Sequence, residues 1–293
     1  MYRIFILVVV ASFLLFQSYA QSIDVGLFVG ATSYNGELQA KAIDIKHSRL
    51  AVGATLTYNI DDRFAVRGNV MKTHVSGADA WNEKENMKLR NLSFDTRLYE
   101  INVLGKFRIL RPENARLSPF IAAGAAVFRV NPFAHDFNGT KVYLYPLSTE
   151  GQGLPGYPNR KPHKLYHFAI PFGGGLEYQI NDRFSIEGEV MMRKTFTDYI
   201  DDVSTTYINP IALLNEKGAK AVEMAYRGME VGGSSVQPPE GAMRGNPDAK
   251  DLYYTGVIRL NFRLFGSESN TFSSGSNGGR NKKFRHRTDC PTW

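Results

Sequence analysis

Eight segments of the chain alternate apolar residues with small or polar residues at every second position. In the clearest segment, Leu50, Val52 and Leu56 alternate with residues such as Thr55 and Thr57. The segments span residues 23–30, 50–60, 64–70, 99–109, 119–130, 168–180, 184–192 and 252–264. Because successive side chains of a β-strand point to opposite faces, this pattern predicts eight strands, each with one apolar face.

The connections between these segments are alternately short and long. The short links are residues 60–63, 110–117 and 180–183, and the long links are residues 31–47, 76–92, 131–164 and 196–250. Short periplasmic turns and long outer loops are typical of outer-membrane barrels, and an even strand number leaves both termini in the periplasm. The sequence therefore predicts an all-β fold, an eight-stranded antiparallel transmembrane β-barrel with long extracellular loops and a short periplasmic C-terminal tail.

The charged residues of the predicted strands share the polar face. They are Arg67, Glu100, Glu177, Glu187, Glu189 and Arg259, together with Lys106. A basic residue facing lipid near the membrane centre costs about 2–4 kcal/mol, so we expect the apolar faces to contact lipid. Inside a narrow eight-stranded barrel, charged side chains pair with one another and fill the interior. We therefore predict a lumen charge network and no open diffusion pore.

Two hairpins of the predicted barrel have related sequences. Residues 56–70 read LTYNIDDRFAVRGNV and residues 176–190 read LEYQINDRFSIEGEV. The Asp or Asn residues at their centres suit tight turns, because their side chains bond to nearby backbone N–H groups. Either duplication or a shared turn requirement accounts for the likeness.

The N-terminal residues predict export. Arg3 precedes an apolar run over residues 4–16, and the small residues Ser18 and Ala20 precede a candidate cleavage point. This arrangement is typical of a secretory signal peptide, whereas a transmembrane anchor needs about 20 apolar residues. The sequence thus predicts a cleaved signal peptide at 1–20, an outer-membrane β-barrel at 21–265 and a flexible basic periplasmic tail at 266–293. Localisation in the outer membrane follows from these predictions.

The predicted tail is the main candidate for partner binding. Its basic residues and its cysteine are Arg280, Lys282, Lys283, Arg285, Arg287 and Cys290. An exported protein meets little nucleic acid, so acidic lipid headgroups or a protein partner fit this charge better, and a solvated surface is the alternative. Because the chain has one cysteine, it has no intramolecular disulfide, and Cys290 is either a free thiol or linked to another chain.

The remaining motifs in the sequence have simpler structural interpretations. Gly151, Gly153 and Gly156 form a G-x-G-x-x-G, but they lie beside prolines in a loop rather than between a strand and a helix. We therefore interpret them as turn glycines and predict no cofactor. The histidines lack metal-ligand spacing, so no metal site is assigned to them. Residues 210–226 have a helical composition that Gly218 interrupts, which predicts one kinked helix or two short ones.

One acidic group has two interpretations. Asp198, Asp201 and Asp202 lie close together in the sequence after the seventh predicted strand. Carboxylates in a loop are suitable calcium ligands. A solvated loop base with local hydrogen bonds is the simpler interpretation, and we assign no metal to these residues from sequence.

Several stretches resemble a known family. They are TEGQG at 149–153, RKTFTDYIDDVSTTY at 193–207, PFIAAGAAVFRVNP at 119–132 and the terminal CPTW. With them, the chain resembles the PorG-like outer-membrane barrels of the type IX secretion system. The resemblance implies a barrel that connects the outer membrane to a periplasmic ring built by the PorK lipoprotein and PorN. It brings no catalytic residues.

Three classes of function are compared. We expect a non-enzymatic component of the type IX secretion machinery that anchors the PorK/PorN-type ring, with Cys290 as a candidate disulfide link to a periplasmic partner. The alternative is a small surface-binding or adhesin-type barrel whose long loops contact external ligands. A membrane enzyme needs a convergent Ser, His and acidic set, and the sequence offers no persuasive candidate.

Overall fold

The computed structural model describes residues 22–39, 44–111, 115–233 and 237–265. Its strands are β1 (Ser22–Asn35), β2 (Arg49–Asn59), β3 (Phe64–Ala78), β4 (Ser93–Arg108), β5 (Leu117–Arg129), β6 (Phe133–His135), β7 (Lys141–Tyr143), β8 (Tyr166–Gln179), β9 (Phe184–Thr195) and β10 (Leu252–Phe265). Its α-helices are α1 (Glu85–Arg90), α2 (Pro210–Lys217) and α3 (Ala219–Ala225). None of the described helices is long and apolar enough to cross a membrane.

Eight long strands close into a barrel. Each of β1, β2, β3, β4, β5, β8, β9 and β10 pairs antiparallel with two neighbours, and the β3–β4 pairing completes the ring. The small hairpin of β6 and β7 is attached to β4. Closure satisfies the backbone of every long strand without water, which the lipid interior requires. The predicted eight-stranded antiparallel barrel is therefore confirmed.

We call the two ends of the barrel the turn end and the loop end. The turn end carries the links β2–β3, β4–β5 and β8–β9, and the loop end carries the long links that begin after β1, β3, β5 and β9. At the loop end, β3 continues to Ala78 and β4 begins at Ser93, beyond the predicted limits of both strands. The alternation weakens there because polar residues such as Ser76 and Arg97 occupy both faces, so the sequence pattern understated the strand lengths.

The barrel exterior carries a continuous apolar surface, which we call the outer band. Its members are at least half exposed: Leu27, Val29, Leu56, Val70, Ile101, Val103, Ile121, Leu176, Val190, Ile258 and Leu260. Aromatic residues flank it, with Tyr58, Phe64, Tyr178 and Phe184 towards the turn end and Tyr99, Tyr166 and Phe168 towards the loop end. An aliphatic band between two aromatic girdles is the exterior that a transmembrane barrel presents to lipid.

Strand β5 departs from the expected orientation. The expectation was that the apolar face of every strand contacts lipid, yet Phe120 and Phe128 of β5 are buried inside the barrel. Ile121 and Val127 of the same strand face outward. Because both faces of β5 carry apolar or small residues, its sequence does not distinguish the two sides. The inward Phe120 ring lies beside a cation, since Lys106 Nζ is 4.3 Å from its centroid, whereas Phe128 packs edge-on against Tyr253.

The two related hairpins have the same turn geometry. Asp61 Oδ1 accepts hydrogen bonds from the N–H groups of Arg63 and Phe64, each at 2.7 Å. In the other hairpin, Asn181 Oδ1 accepts equivalent bonds from Arg183 and Phe184, each at 2.9 Å. The sequence likeness therefore corresponds to one turn structure that is used twice at the turn end.

The helical prediction for residues 210–226 is confirmed as two short helices. Asn209 caps α2 by accepting hydrogen bonds from the N–H groups of Ile211 and Ala212. Gly218 separates α2 from α3 and has a φ of +84°, a conformation that favours glycine. The two helices pack against each other in the loop between β9 and β10 through Leu213 and Ala221.

A charge placed on the outer band tests whether this surface faces lipid. In lipid vesicles, we expect Val190→Arg to lower the free energy of unfolding by about 2–4 kcal/mol, because an arginine is then placed in hydrocarbon. Reversible guanidinium unfolding measures the change.

The matched control for this test is Ile211→Arg on α2. Val190 is 65% exposed and Ile211 is 66% exposed, so the two side chains differ in location rather than in accessibility. We expect a change within about 0.5 kcal/mol for Ile211→Arg. Equal, small effects of both substitutions would contradict a lipid-facing band.

Candidate functional site: filled lumen and loop cap

The centre of the lumen is organised around Glu187. Its Oε2 accepts hydrogen bonds from Arg67 at 2.9 Å and from Arg259 at 2.7 Å. Its Oε1 accepts from Lys106 and from Asn261. These groups come from β9, β3, β10 and β4, so a single carboxylate connects opposite walls of the barrel.

Two further carboxylates extend this network along the lumen. Glu177 accepts from Lys106 at 2.8 Å and from Arg108 at 2.7 Å. Glu189 accepts from Arg67 and, at 3.2 Å, from Arg259. The three network carboxylates thus share four cations, all of which are buried. Pairing of this kind is what makes burial of a charge tolerable.

A separate pair lies closer to the loop end. Arg193 Nε donates to Glu100 Oε2 at 3.3 Å, and the hydroxyl of Tyr253 donates to the same oxygen. Asn102 donates to the other oxygen of Glu100. The structure therefore brings Arg67, Glu177, Glu187, Glu189 and Arg259 into one cluster and leaves Glu100 in a second cluster with its own arginine.

The lumen is filled rather than open. Arg67 is completely buried, and Arg259 and Lys106 are almost so. The Arg259 guanidinium carbon lies 5.3 Å from the ring centroid of Phe28, so aromatic rings fill the space between the charges. A barrel of eight strands has an interior only wide enough for side chains. The described side chains therefore fill the lumen at the level of this network.

The long loops form an ordered structure over the loop end, which we call the cap. It comprises the described parts of residues 79–92, 130–165 and 196–251. Ile200 and Val203 of the last loop are buried in one apolar cluster with Phe94 and Leu98 of β4. The hydroxyl of Thr96 also donates to the carbonyl of Ile200 at 2.9 Å. The loop between β9 and β10 thus closes the mouth of the barrel.

Glu150 holds two of these loops together. It is completely buried and accepts hydrogen bonds from the N–H groups of Ser204 at 2.9 Å and Thr205 at 3.0 Å. It also pairs with Arg244 at 2.8 Å. The neighbouring Thr149 donates to Asp202. TEGQG and RKTFTDYIDDVSTTY, two of the stretches that carry the family resemblance, therefore contact each other in the cap.

The third loop joins through two ion pairs that a hydrogen bond connects. Arg90 donates to both carboxylate oxygens of Asp79, each at 2.7 Å. A further N–H group of Arg90 donates to the carbonyl of Arg244. The series Asp79, Arg90, Arg244 and Glu150 thus spans all three loops. A cavity of about 510 Å³ opens beside it, lined by Glu37, Arg90, Arg244, Tyr207, Tyr226 and neighbouring residues.

The acidic residues that the sequence singled out are buried in the cap. Asp198, Asp201 and Asp202 are each at most 3% exposed, so they do not form a solvated loop base. Burial raises the pKa of Asp198 to about 6 and that of Asp202 to about 7. Asp202 turns towards Thr149, whereas Asp201 accepts from the hydroxyl of Tyr34 at 2.6 Å. The three residues therefore have different partners.

The structure describes the predicted turn glycines, whereas the predicted signal peptide and tail lie outside the described residues. Gly151 and Gly153 adopt positive φ angles of 79° and 75°, which confirms their interpretation as turn glycines. The signal peptide at 1–20 and the tail at 266–293 lie outside the described residues, as do Arg280, Lys282, Lys283, Arg285, Arg287 and Cys290.

Sequence reasoning missed the residues that organise the cap. Glu150 contacts Ser204 and Arg244, which lie 54 and 94 positions further along the chain. No local motif indicates such contacts, because loop residues far apart in sequence meet only after the barrel has closed. The sequence signal that pointed to these residues was the family resemblance of the stretches at 149–153 and 193–207, which contain Glu150 and Ser204.

The closed ring, the apolar exterior and the filled polar interior define a small β-barrel of the transmembrane type. The family profile of DUF6089, a domain of unknown function, matches residues 2–143, just under half of the chain. No match was found among curated proteins.

The barrel is similar to several solved outer-membrane proteins. Neisserial surface protein A (NspA) shares 8% identity at a TM-score of 0.41, covering 84% of this chain and 99% of that chain. A major outer membrane protein from Thermus thermophilus shares 8% identity at a TM-score of 0.39, covering 83% of this chain and 100% of that chain. Likeness at this level does not bear on what the present barrel binds.

A third similar structure is a complex. Ail, the attachment invasion locus protein of Yersinia pestis, was solved with the heparin analogue sucrose octasulfate. It shares 11% identity at a TM-score of 0.38, covering 85% of this chain and 100% of that chain.

Removal of one network charge tests the role of the lumen. Glu187→Gln leaves Arg67, Arg259 and Lys106 without their shared carboxylate, and we expect a loss of about 3–5 kcal/mol of unfolding free energy. Urea unfolding of the refolded protein in lipid vesicles measures it. Glu216→Gln, on the exposed face of α2, is the control and is expected to be neutral. Neutrality of Glu187→Gln would show that the lumen ion pairs do not support the fold.

Proposed function

We propose that the protein is a non-enzymatic outer-membrane barrel of the type IX protein secretion machinery that anchors a periplasmic PorK/PorN-type ring. In this arrangement the outer band lies in lipid, the cap faces the cell exterior and the turn end faces the periplasm. The observation that carries the proposal is the filled lumen beneath a closed cap. A barrel without a conduit serves as a fixed attachment point in the membrane rather than as a path for molecules.

The last residue of β10 lies at the turn end of the barrel, which supports periplasmic anchoring. β10 ends at Phe265, which pairs with Ile23 near the start of β1, and both residues lie at the turn end. Residues 266–293 therefore follow directly from the end that carries the short turns. Their basic residues and Cys290 would be available to the ring, together with the two matched turns of the β2–β3 and β8–β9 hairpins.

The resemblance supports the particular machine. Thr149, Glu150, Ser204 and Thr205 belong to the stretches that resemble PorG-like barrels, and they interact in the folded cap. Two of the four stretches that carry the resemblance, residues 149–153 and 193–207, thus form one structural unit.

One observation favours the alternative of a surface-binding barrel. The cap is ordered, encloses a cavity and exposes apolar side chains, among them Ile211, Met229 and Met243, each more than 60% exposed. An apolar patch on a soluble surface is typical of an interaction site. Under this alternative the partner contacts the cap and not the tail.

Affinity purification from gently solubilised membranes discriminates the two functions. Replacing Arg280, Lys282, Lys283, Arg285 and Arg287 with serine, together with Cys290→Ser, removes the proposed tail contacts. We expect the wild-type protein to co-purify a PorK-like lipoprotein and a PorN-like protein, and the tail variant to lose them while its barrel still resists unfolding in cold SDS. Non-reducing gels of the same samples reveal whether Cys290 links the barrel to a partner.

The matched control is a cap variant, Ile211→Ser with Met243→Ser. It is expected to retain the ring proteins. Ring proteins absent from the wild-type sample would contradict the anchoring function. Binding that survives the tail changes but fails in the cap variant would support surface binding instead.

A further inference from the structure

Three carboxylates meet at the base of the cap. Oxygen atoms of Glu37, Asp198 and Asp251 all lie within 4.8 Å of one another. Glu37 follows the end of β1, Asp198 follows the end of β9, and Asp251 immediately precedes β10. Because β10 pairs with both β1 and β9, the closed sheet brings these three strand ends together.

The buried oxygens of this cluster lack partners. Asp198 is 3% exposed, and neither of its carboxylate oxygens has a described donor at hydrogen-bond distance, although the Ser204 side chain and Lys250 lie near enough to lower its pKa. Oε2 of Glu37 is likewise buried and unpaired within the described chain. The nearby Lys250 donates its ammonium group to the carbonyl of Pro247. A buried carboxylate without a close partner is costly, so this arrangement favours a bound positive group.

The remaining oxygens are held in place by neighbours. Asp251 Oδ2 accepts from the N–H of Ile200 at 2.9 Å, and Asp251 Oδ1 lies 3.0 Å from the hydroxyl of Tyr34. Glu37 Oε1 accepts from the N–H of Asn246 at 3.1 Å. Each carboxylate oxygen has a second lone pair, so these bonds orient the ligand without preventing coordination.

The carboxylates of the lumen differ from those at the base of the cap in their partners. There, Glu177, Glu187 and Glu189 all pair with arginine or lysine side chains at hydrogen-bond distance. At the base of the cap, Glu37, Asp198 and Asp251 form no ion pair with a described side chain within 4 Å. The fold therefore supplies paired arginine and lysine side chains to the lumen cluster, whereas no described side chain forms an ion pair with the cluster at the base of the cap.

We propose that Glu37, Asp198 and Asp251 bind a divalent cation of the calcium type. Calcium takes six to eight oxygen ligands at about 2.3–2.6 Å, so two oxygens on one ion lie at most about 5 Å apart. The observed separation fits that limit. Water completes the coordination, and Glu37, which also lines the cavity of the cap, provides access from solvent.

The electrostatics of the cluster agree with this assignment. Burial and the neighbouring Asp198 raise the pKa of Glu37 to about 7. Burial also raises the pKa of Asp251 well above its usual range, and Glu37 adds to that increase. Carboxylates that lie close together without a positive charge have raised pKa values, and a bound divalent ion lowers those pKa values.

The site has a structural consequence that goes beyond the proposed anchoring function. Asp251 holds Ile200, and Ile200 lies in the apolar cluster that closes the barrel mouth. An ion bound to Glu37, Asp198 and Asp251 therefore fastens the β1–β2 loop to the β9–β10 loop beside that closure. Calcium is expected to stabilise the cap.

Calcium titration of the full mature chain tests the proposal. The protein is refolded from inclusion bodies into detergent free of lipopolysaccharide, because the phosphates of lipopolysaccharide bind calcium themselves. We expect calorimetry with CaCl₂ at neutral pH to show one ion per chain and about 1 mM CaCl₂ to raise the temperature of cap unfolding. Terbium(III) is a second probe, since Tyr34 beside Asp251 is placed to sensitise its emission and calcium should displace it.

Asp198→Asn is the decisive variant. It removes a charge and leaves a side-chain oxygen that can still accept from the nearby Ser204, and we expect calcium affinity to fall by about 10–100-fold. Glu37→Gln, at a partly exposed position, is a second variant with the same expected effect should Asp198→Asn fail to fold. Asp202→Asn is the matched control, because asparagine tolerates its φ of +65° and can still accept from Thr149. It should bind calcium as the wild type does.

Two results would overturn the assignment. One is the absence of stoichiometric calcium binding and of any thermal shift in the wild-type protein. The other is a refolded Asp198→Asn protein whose affinity for calcium and terbium equals that of the wild type. In the first case, an Asp198→Asn protein more stable than the wild type would mean that protons, rather than a cation, neutralise the cluster.

Discussion

The structure depends on one constraint, which is that a surface in hydrocarbon can carry neither free backbone hydrogen-bonding groups nor charges. Closure of eight antiparallel strands pairs the backbone. The two-residue period of each strand then sends alternate side chains outward to the apolar band or inward to the lumen. The charged residues are inside because placing a charge in hydrocarbon costs far more free energy. Inside the narrow lumen, carboxylates and cations lie close enough to pair with one another.

This confinement also explains why the lumen is filled. Glu177, Glu187 and Glu189 share four cations across a narrow interior, and aromatic rings from β1 and β5 occupy the remaining space. Removing either sign of charge would leave the other buried and unpaired. The cap adds a second closure through Ile200 and the ionic series from Asp79 to Glu150. The barrel is therefore filled along its interior and covered at its loop end.

Features governed by neighbouring residues could be predicted from the sequence, and features governed by distant contacts could not. Alternation predicted the strands, and the paired Asp61 and Asn181 turns were visible as a repeated motif. The inward orientation of Phe120 was not predictable because both faces of β5 are apolar. The cluster of Glu37, Asp198 and Asp251 depends on the pairing of β10 with β1 and β9. The sequence therefore indicates only Asp198 as a candidate, beside neighbours that have other partners in the structure.

The central claim is that the outer band lies in hydrocarbon, and accessibility of spin labels tests it most directly. In a Cys290→Ser background, single nitroxide labels at Val29, Ile101 and Ile258 are compared in lipid vesicles with a label at Ile211 of the cap. We expect oxygen to reach the three band labels readily, and we expect a water-soluble nickel chelate to be excluded from them and to reach Ile211. Equal access of the chelate to all four positions would contradict a lipid-embedded barrel.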